Sequence, residues 1–441
     1  MSTETAKTST AGTEDLTRVR ERAQAGDATA CLTLARHYMG GGNPVRARRW
    51  FQRAADGGDA DAAWELAQLH LRGGDLPPAP VEAVRWLERG ARGGVASAMC
   101  QLAQFQLSGY GTRADLASAR HWLLEAARRD CPSALRQLGL VYARIAPGVE
   151  WEPCAFECLW RAASLGDPLA MHACGVRLVE GRGTGTDRAA GMAWLGRARD
   201  AGMYMADKWL ADEVPAVAEP TLLERPPELH EFDWPAPREA TLVRQAKEPP
   251  VHRIDGLVDP EMCDYLINVA HPRLEPARTV DPKTGRPVRN RLRTNSHMGI
   301  SGPLLDVPVH LVERDMVAVA RADVSCAERL AMLRYGEGEE YRPHFDFISP
   351  HATDFQHEFR ELGQRVKTIF AYLNDVPEGG ETEFPRLDIK IKPRQGGGVM
   401  FRNVTPEGTP DNATLHAGCP VVEGEKWLAT LWIREKSGTM R

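Results

Sequence analysis

The sequence predicts two architectures in tandem: an N-terminal all-α solenoid of helix-pair repeats, then an α+β domain with a double-stranded β-helix, or jelly-roll, core. Three observations predict it. Tryptophans, paired small residues and glycines return at intervals of 36 through the first half of the chain. Six prolines then fall between residues 214 and 240. From about residue 325 the texture becomes short β-prone runs broken by glycine, proline and asparagine, as in "RVKTIFAYLNDVPEGGETEFP".

In the first half, Trp50, Trp86, Trp122 and Trp194 are related by steps of 36, with Cys158 in the missing slot. Ala54-Ala55 recurs as Gly90-Ala91, Ala126-Ala127 and Ala162-Ala163, and Gly58 recurs as Gly94, Gly166 and Gly202, with Asp130 the exception. Each unit reads as two helices. "DAAWELAQLHLRGG" has apolar residues at helical spacing and closes on glycines, while "PVEAVRWLERGARGG" opens on proline and ends on glycine. One such pair cannot bury its apolar face alone, so stacked pairs share a core. The tryptophans therefore read as core, and His37, His70, His121 and His172, which lack metal-like spacing, as structural or exposed.

The signatures "WFQRAADGGDADA", "WLERGARGGVASA" and "WRAASLGDPLA" resemble the Sel-one-like repeat, a relative of the tetratricopeptide repeat. The resemblance covers residues 15–212 and implies a concave surface that binds a protein or peptide. A polar segment, 1–14, precedes it and is expected to be disordered. Residues 213–240 read as a semi-rigid Pro-rich linker, and 241–441 as the catalytic half.

Bulk composition narrows the partners. The 441 residues are 43% hydrophobic and 26% charged, with a formal net charge of -5. This balance gives no reason to expect nucleic acid or an anionic membrane. Nine cysteines with no CxxC pair suggest neither a disulfide framework nor a zinc knuckle, which favours a reducing compartment. The N-terminus has no apolar core and no apolar run approaches the ~20 residues of a membrane span. A soluble, cytoplasmic protein is the expectation.

In the second half, a helix pair from "DPEMCDYLINVA" (259–270) and "LLDVPVHLVERDMVAVA" (304–320) is expected before the strands. "YRPHFDFISP" (341–350) then sets His344 and Asp346 two apart in a strand-like run, on one face. They are either a surface pair or two parts of a set that needs a third member. "ATLHAG" supplies His416 on a later strand. Two imidazoles and one carboxylate leave positions open on Fe(II) for a bidentate cosubstrate and O2, and leave a net charge that 2-oxoglutarate balances. The far carboxylate of 2-oxoglutarate needs a cation. Lys426 follows His416 by ten residues, an even spacing that keeps both side chains inward if the "PVVEGE" turn does not shift the phase. Each residue alone has a bland reading as a surface or loop group; the ordered set on strand-like segments carries the argument.

"RYGEGEEYRPHFDF", "RVKTIFAYLNDVPEGGETEFP" and "HAGCPVVEGEKWLATLWIRE" closely resemble the Fe(II)/2-oxoglutarate-dependent dioxygenases of prolyl 4-hydroxylase type. "ARTVDPKTGRPVRNRLRTNSHMGI" (277–300) matches too, with "RTN" where the family usually has "RTS". The resemblance covers roughly residues 250–436. It implies His344, Asp346 and His416 as iron ligands, Lys426 as the partner of the C5 carboxylate, and Tyr335 and Thr368 as further cosubstrate contacts. Tyr372 is assigned with them. For Tyr335, Thr368 and Tyr372, ordinary strand packing is the alternative. Glu328, Tyr341, Arg365 and Trp432 resemble residues lining a peptide groove, where Trp432 reads otherwise as core and Arg365 as a surface cation. The resemblance brings ascorbate as an additional cofactor, and implies that 277–300 closes over substrate as a mobile loop.

His351, Asp354 and His357 raise a second-metal reading, but solvated loop residues fit their spacing better; His297 lies near the site without an assigned role. "GRPVRNRLR" lacks the interleaved aromatics of a nucleic-acid surface. The reading is thus a dioxygenase that converts peptidyl proline to 4-hydroxyproline in a protein recruited by the repeats. Two alternatives stay open: the same chemistry on another side chain or a small natural product, and a repeat adaptor with a degenerate oxygenase half.

Overall fold

The computed structural model describes residues 16–72, 78–145, 151–211, 220–277, 279–280, 287–288, 293–300, 302–349 and 356–438. The expected disordered segment 1–14, residues 278, 281–286 and 289–292 of the 277–300 loop, and His351 and Asp354 lie outside the described residues, as does the side chain of His357. Two compact units are present, Met1–Ala134 and Leu135–Arg441.

The first unit is built from α1 (Leu16–Gln24), α2 (Ala28–Gly40), α3 (Pro44–Asp56), α4 (Ala60–Arg72), α5 (Pro80–Arg92), α6 (Ala96–Ser108) and α7 (Leu116–Ala127), each packed on the next up to α7. Asp27, Asn43 and Asp115 cap α2, α3 and α7 by accepting from first-turn amides. The 36-residue glycine has a backbone cause. Gly58, Gly94, Gly166 and Gly202 turn between helices at φ of 94°, 94°, 93° and 86°, where a Cβ is strained. Asp130, the exception, is one of the few residue types that tolerate this region, and takes φ 53°. The tryptophan has its own partner. Arg53 lies 4.9 Å over Trp50, Arg89 4.7 Å over Trp86 and Arg197 5.8 Å over Trp194, each one helical turn along.

The chain continues through α8 (Pro132–Tyr142), α9 (Glu152–Ser164), α10 (Pro168–Glu180), α11 (Arg188–Asp200) and α12 (Tyr204–Leu210). α10 and α11 meet at glycines. A Cβ on Gly175 would stand 2.9 Å from the Gly191 carbonyl oxygen and 2.8 Å from Leu195 Cγ, so only a bare Cα allows this approach.

The oxygenase-like half has helices α13 (Pro260–Ala270), α14 (Val307–Val319) and α15 (Gln356–Leu362). Its strands begin with β1 (Thr241–Ala246), β2 (Val251–Asp255), β3 (Glu275–Pro276), β4 (Thr279–Val280), β5 (Pro287–Val288) and β6 (Ser296–Gly299). Next come β7 (Ala331–Tyr335), β8 (Tyr341–His344), β9 (Arg365–Tyr372), β10 (Glu378–Gly379) and β11 (Thr382–Phe384). The last are β12 (Ile389–Ile391), β13 (Gly398–Arg402), β14 (His416–Gly418), β15 (Val421–Glu423) and β16 (Lys426–Arg434). A major antiparallel sheet runs β1-β2-β13-β9-β16-β7-β6-β3, and a minor one β12-β11-β14-β8. A core that includes Leu333, Tyr335, Phe370, Phe384, Phe401 and Leu428 joins the two sheets, as the jelly-roll expectation requires.

The division at residue 134 differs from the boundary that the sequence places over 213–240, and the reason is electrostatic. Arg177, fully buried, makes two 2.7 Å bonds to Glu261 of α13 and one of 2.5 Å to Glu152. Arg136 of α8 reaches Asp167 at 3.0 Å and Asp306 at 3.1 Å, with Tyr265 between. Arg144 pairs with Asp315 of α14. Charges this deep require their partners, so the late repeat helices belong to the same compact unit as the sheets. Nor is 220–240 a free spacer. Trp160 Nε1 donates to the Thr221 carbonyl, Arg161 to those of Leu223 and Glu224, and Tyr142 to that of His230, with Leu223 and Phe232 buried.

Candidate metal and cosubstrate site

β8 and β14 pair in the minor sheet with His416 directly opposite His344, and this register brings two distant histidines together. Their rings lie 4.3 Å apart. Asp346, just beyond β8, places Oδ1 3.8 Å from His344 Nε2 and Oδ2 3.6 Å from His416 Nε2. One ligand atom from each of the three lies within 4.8 Å of the others, a metal-sized spacing found for no other His, Cys, Asp or Glu group among the described residues.

Hydrogen bonds outside the triad orient it. His344 Nδ1 is 2.8 Å from the Arg342 carbonyl and His416 Nδ1 3.1 Å from that of Thr414, so both rings donate there and aim Nε2 at the shared centre. Thr368 donates to Asp346 Oδ2 at 2.8 Å, and Asn403 Nδ2 donates to Thr368 at 3.0 Å. Burial, reinforced by His416, holds His344 neutral with a pKa down at about 3. Burial works to raise Asp346, but His416, His344 and Arg365 outweigh it, and its carboxyl is held below the usual range. Two imidazole nitrogens and one carboxylate are the donor set that Fe(II) takes.

The triad opens into a cavity of about 440 Å³ between the sheets. At its far end stands Lys426, 1% exposed, its Nζ 5.5 Å over the Tyr335 ring and 5.6 Å over that of Tyr372. Among the described residues no carboxylate pairs with it, and burial brings its pKa down to about 8. A buried ammonium without a counter-ion calls for an anionic ligand. The residues present thus fit both Fe(II) and the far carboxylate of 2-oxoglutarate. His416 and Lys426 face the cavity from opposite sheets, so their even spacing along the chain is not what aligns them.

The other expected residues divide. Tyr335 lines the cavity opposite Lys426 in register. Thr368 lines it too, with its hydroxyl committed to Asp346. Tyr372 stands behind the wall, donating to Thr382 Oγ1 at 2.8 Å, while Thr382 itself faces the cavity. Tyr341 stacks on His344 at 3.4 Å between ring centroids. Arg365 lies 4.3 Å over Trp432, and both line the mouth. Glu328 is placed differently. It sits outside the cavity lining and grips Arg365 through two 2.7 Å bonds, with Arg434 3.0 Å away. It therefore orients the arginine that the sequence grouped with it. His297 is half-buried on β6 and does not line the cavity.

Four residues were not singled out from sequence. Arg293, within the 277–300 segment that the sequence marks as a lid, lies 5.0 Å over the Tyr341 ring. Phe345 and Phe347 stack at 4.6 Å along the wall, flanking Asp346 in the motif itself. Asn403, fully buried behind Thr368, has no local signal.

The 2OG-Fe(II) oxygenase superfamily pattern matches residues 330–434, and the Sel1 repeat pattern matches 28–59, 60–95, 96–131 and 168–203. "Probable prolyl 4-hydroxylase 7" of Arabidopsis thaliana is 36% identical over 208 residues, 43% of this chain and 64% of that protein. "Prolyl 4-hydroxylase 1" of the same plant is 34% identical over 198 residues, 42% of this chain and 68% of that one. The chain thus spans under two thirds of the first relative and just over two thirds of the second. Among solved structures, the 2OG complex of the viral collagen prolyl hydroxylase from Paramecium Bursaria Chlorella virus-1 is 28% identical, covering 42% of this chain and 95% of that one, with a TM-score of 0.33.

Proposed function

Because the chain belongs to the 2OG-Fe(II) oxygenases of prolyl 4-hydroxylase type and carries N-terminal Sel1 repeats, we propose that it hydroxylates a peptidyl proline to 4-hydroxyproline in a protein that the repeats recruit. The observation that carries this reading is the sharing of one cavity by a three-donor metal face and a buried ammonium with no carboxylate partner among the described residues. When bound, Fe(II) with 2-oxoglutarate and O2 supplies the oxidising power to hydroxylate an unactivated C–H bond, with release of CO2 and succinate.

The chain's own residues bind, orient and exclude. His344, His416 and Asp346 hold the metal, and the Arg342 and Thr414 carbonyls keep both imidazoles in the required tautomer. Lys426 neutralises the far carboxylate of 2-oxoglutarate, with Tyr335 beside it. Tyr341, Phe345, Phe347 and Trp432 give the mouth an aromatic lining suited to a proline ring and keep water from it. Arg365, locked by Glu328 over Trp432, presents guanidinium donors to a peptide carbonyl. The buried thiols Cys31, Cys158, Cys174 and Cys263 support a reducing, cytoplasmic setting.

The test is an anaerobic titration of the purified protein with Fe(II) and 2-oxoglutarate, followed by turnover on proline-containing peptides analysed by mass spectrometry. A visible charge-transfer band that His416→Ala abolishes and Lys426→Ala weakens, with a 16-dalton gain on proline, is expected. A band without proline oxidation would move the proposal to another side chain or a small product. No band at saturating ligand would leave a repeat adaptor.

A further inference from the structure

The cosubstrate end of the cavity is held from behind by a residue of the repeats. Along β16, Lys426, Leu428 and Thr430 face the cavity, so Trp427 faces the opposite side of the sheet. Along β7, Tyr335 faces the cavity and Arg334 the back. Lys426 is the first residue of its strand. It pairs with Tyr335, whereas pairing to β9 begins only at Leu428. Beyond β9, Leu373 N donates to the Trp427 carbonyl and Asn374 bonds the backbone of Glu425 and Trp427, so this end of β16 is held largely by residues outside the regular ladder.

Tyr204, the first residue of α12, sits on that back face. Its hydroxyl donates to Glu425 Oε1 at 2.8 Å, and Arg334 Nε donates to Glu425 Oε2 at 2.8 Å. Its ring stacks on His271 at 4.0 Å and lies 6.0 Å from Trp427. Glu425 and Arg334 are the chain neighbours of Lys426 and Tyr335. One tyrosine thus ties together, through one carboxylate, the two strands whose next residues form the cosubstrate end. α12 is itself fixed to α13, where Met205 N donates to Asn268 Oδ1 at 2.9 Å.

We infer that Tyr204 is a positioning residue for the 2-oxoglutarate subsite, so that the last repeat helix sets cosubstrate affinity without touching the cosubstrate. The inference rests on the reading that Lys426 takes the far carboxylate. Tyr204→Phe keeps the stack on His271 and deletes the hydroxyl, with its bonds to Glu425 and Arg334. Trp209→Phe, on the same helix but touching Asp264 of α13, is the control.

The measurement is 2-oxoglutarate affinity of the full-length Fe(II)-loaded protein, by anaerobic titration of the charge-transfer band, alongside Fe(II) affinity and thermal unfolding. A residue that supports a binding group from behind is worth roughly tenfold in affinity, so Tyr204→Phe should weaken 2-oxoglutarate binding by about that factor. Fe(II) affinity should stay at the wild-type value, the unfolding temperature should fall by only a few degrees in either variant, and Trp209→Phe should keep wild-type affinity for both ligands. In turnover, KM for 2-oxoglutarate should rise while kcat and KM for peptide hold. Wild-type cosubstrate affinity in Tyr204→Phe would overturn the inference, as would a parallel fall in Fe(II) affinity or an equal loss of cosubstrate affinity in Trp209→Phe. If wild type itself shows no 2-oxoglutarate-dependent band, the cosubstrate reading falls, and this inference with it.

Discussion

Lys426 carries an ionisation that the cosubstrate must meet. Burial brings its pKa down to about 8, so the cofactor-free site is half deprotonated there. Binding a carboxylate requires the charged form, and above pH 8 each 2-oxoglutarate bound must draw a proton from solvent. Its apparent Kd should be flat below pH 8 and then rise by up to roughly tenfold per pH unit, which titration from pH 6.5 to 9.5 will measure. Folding lowers this pKa, so the empty protein also gains stability as pH climbs from about 8 toward the ordinary lysine value. Lys426→Met should accordingly raise the Tm of the cofactor-free protein at pH 7 while removing 2-oxoglutarate binding. Thr368 supports the other end of the cavity by donating to Asp346. Thr368→Val keeps the shape and deletes that bond, and Fe(II) titration should show a Kd weaker by about tenfold to a hundredfold.

Among the elements, the helix pair α10 and α11 meets with no room for a methyl. Gly175→Ala places a methyl against the Gly191 carbonyl and Leu195, and should cost about 1–3 kcal/mol in thermal unfolding. The pairs themselves were legible in the chain, because a 36-residue period with proline openings and glycine closings has a direct backbone cause. The triad was legible for a similar reason: His344 and Asp346 announce themselves two apart, and the remaining partners follow in order. Glu328 was not, because its two arginine partners lie 37 and 106 residues away and nothing local separates a groove acid from a clamp. Tyr204 was hidden likewise, since its bond to Glu425 spans 221 residues. Asn403 also lacks a motif; only the packing of β9 against β13 brings it to Thr368. What sequence resolves here is periodicity and short motifs; what it misses are charges satisfied across the fold.

For the whole molecule, the decisive feature is the set of buried ion pairs from Arg136, Arg144 and Arg177 to Asp306, Asp315 and Glu261. A fragment of residues 241–441 keeps the acids and loses all three cations. The cut also strips the cover from α13 and α14, whose buried apolar residues then face water. That fragment should be aggregated or molten by circular dichroism and gel filtration, whereas residues 135–441, a compact unit, should fold cooperatively. The proline-rich stretch looks like the natural place to cut, but cutting there severs a core. A lineage that gains or sheds repeats ahead of residue 135 leaves the catalytic unit whole, while one that recombines at the prolines inherits a ruined enzyme. Under the proposed recruitment by the repeats, targeting would be the trait that such a change exchanges cheaply, with the late repeats inherited alongside the chemistry.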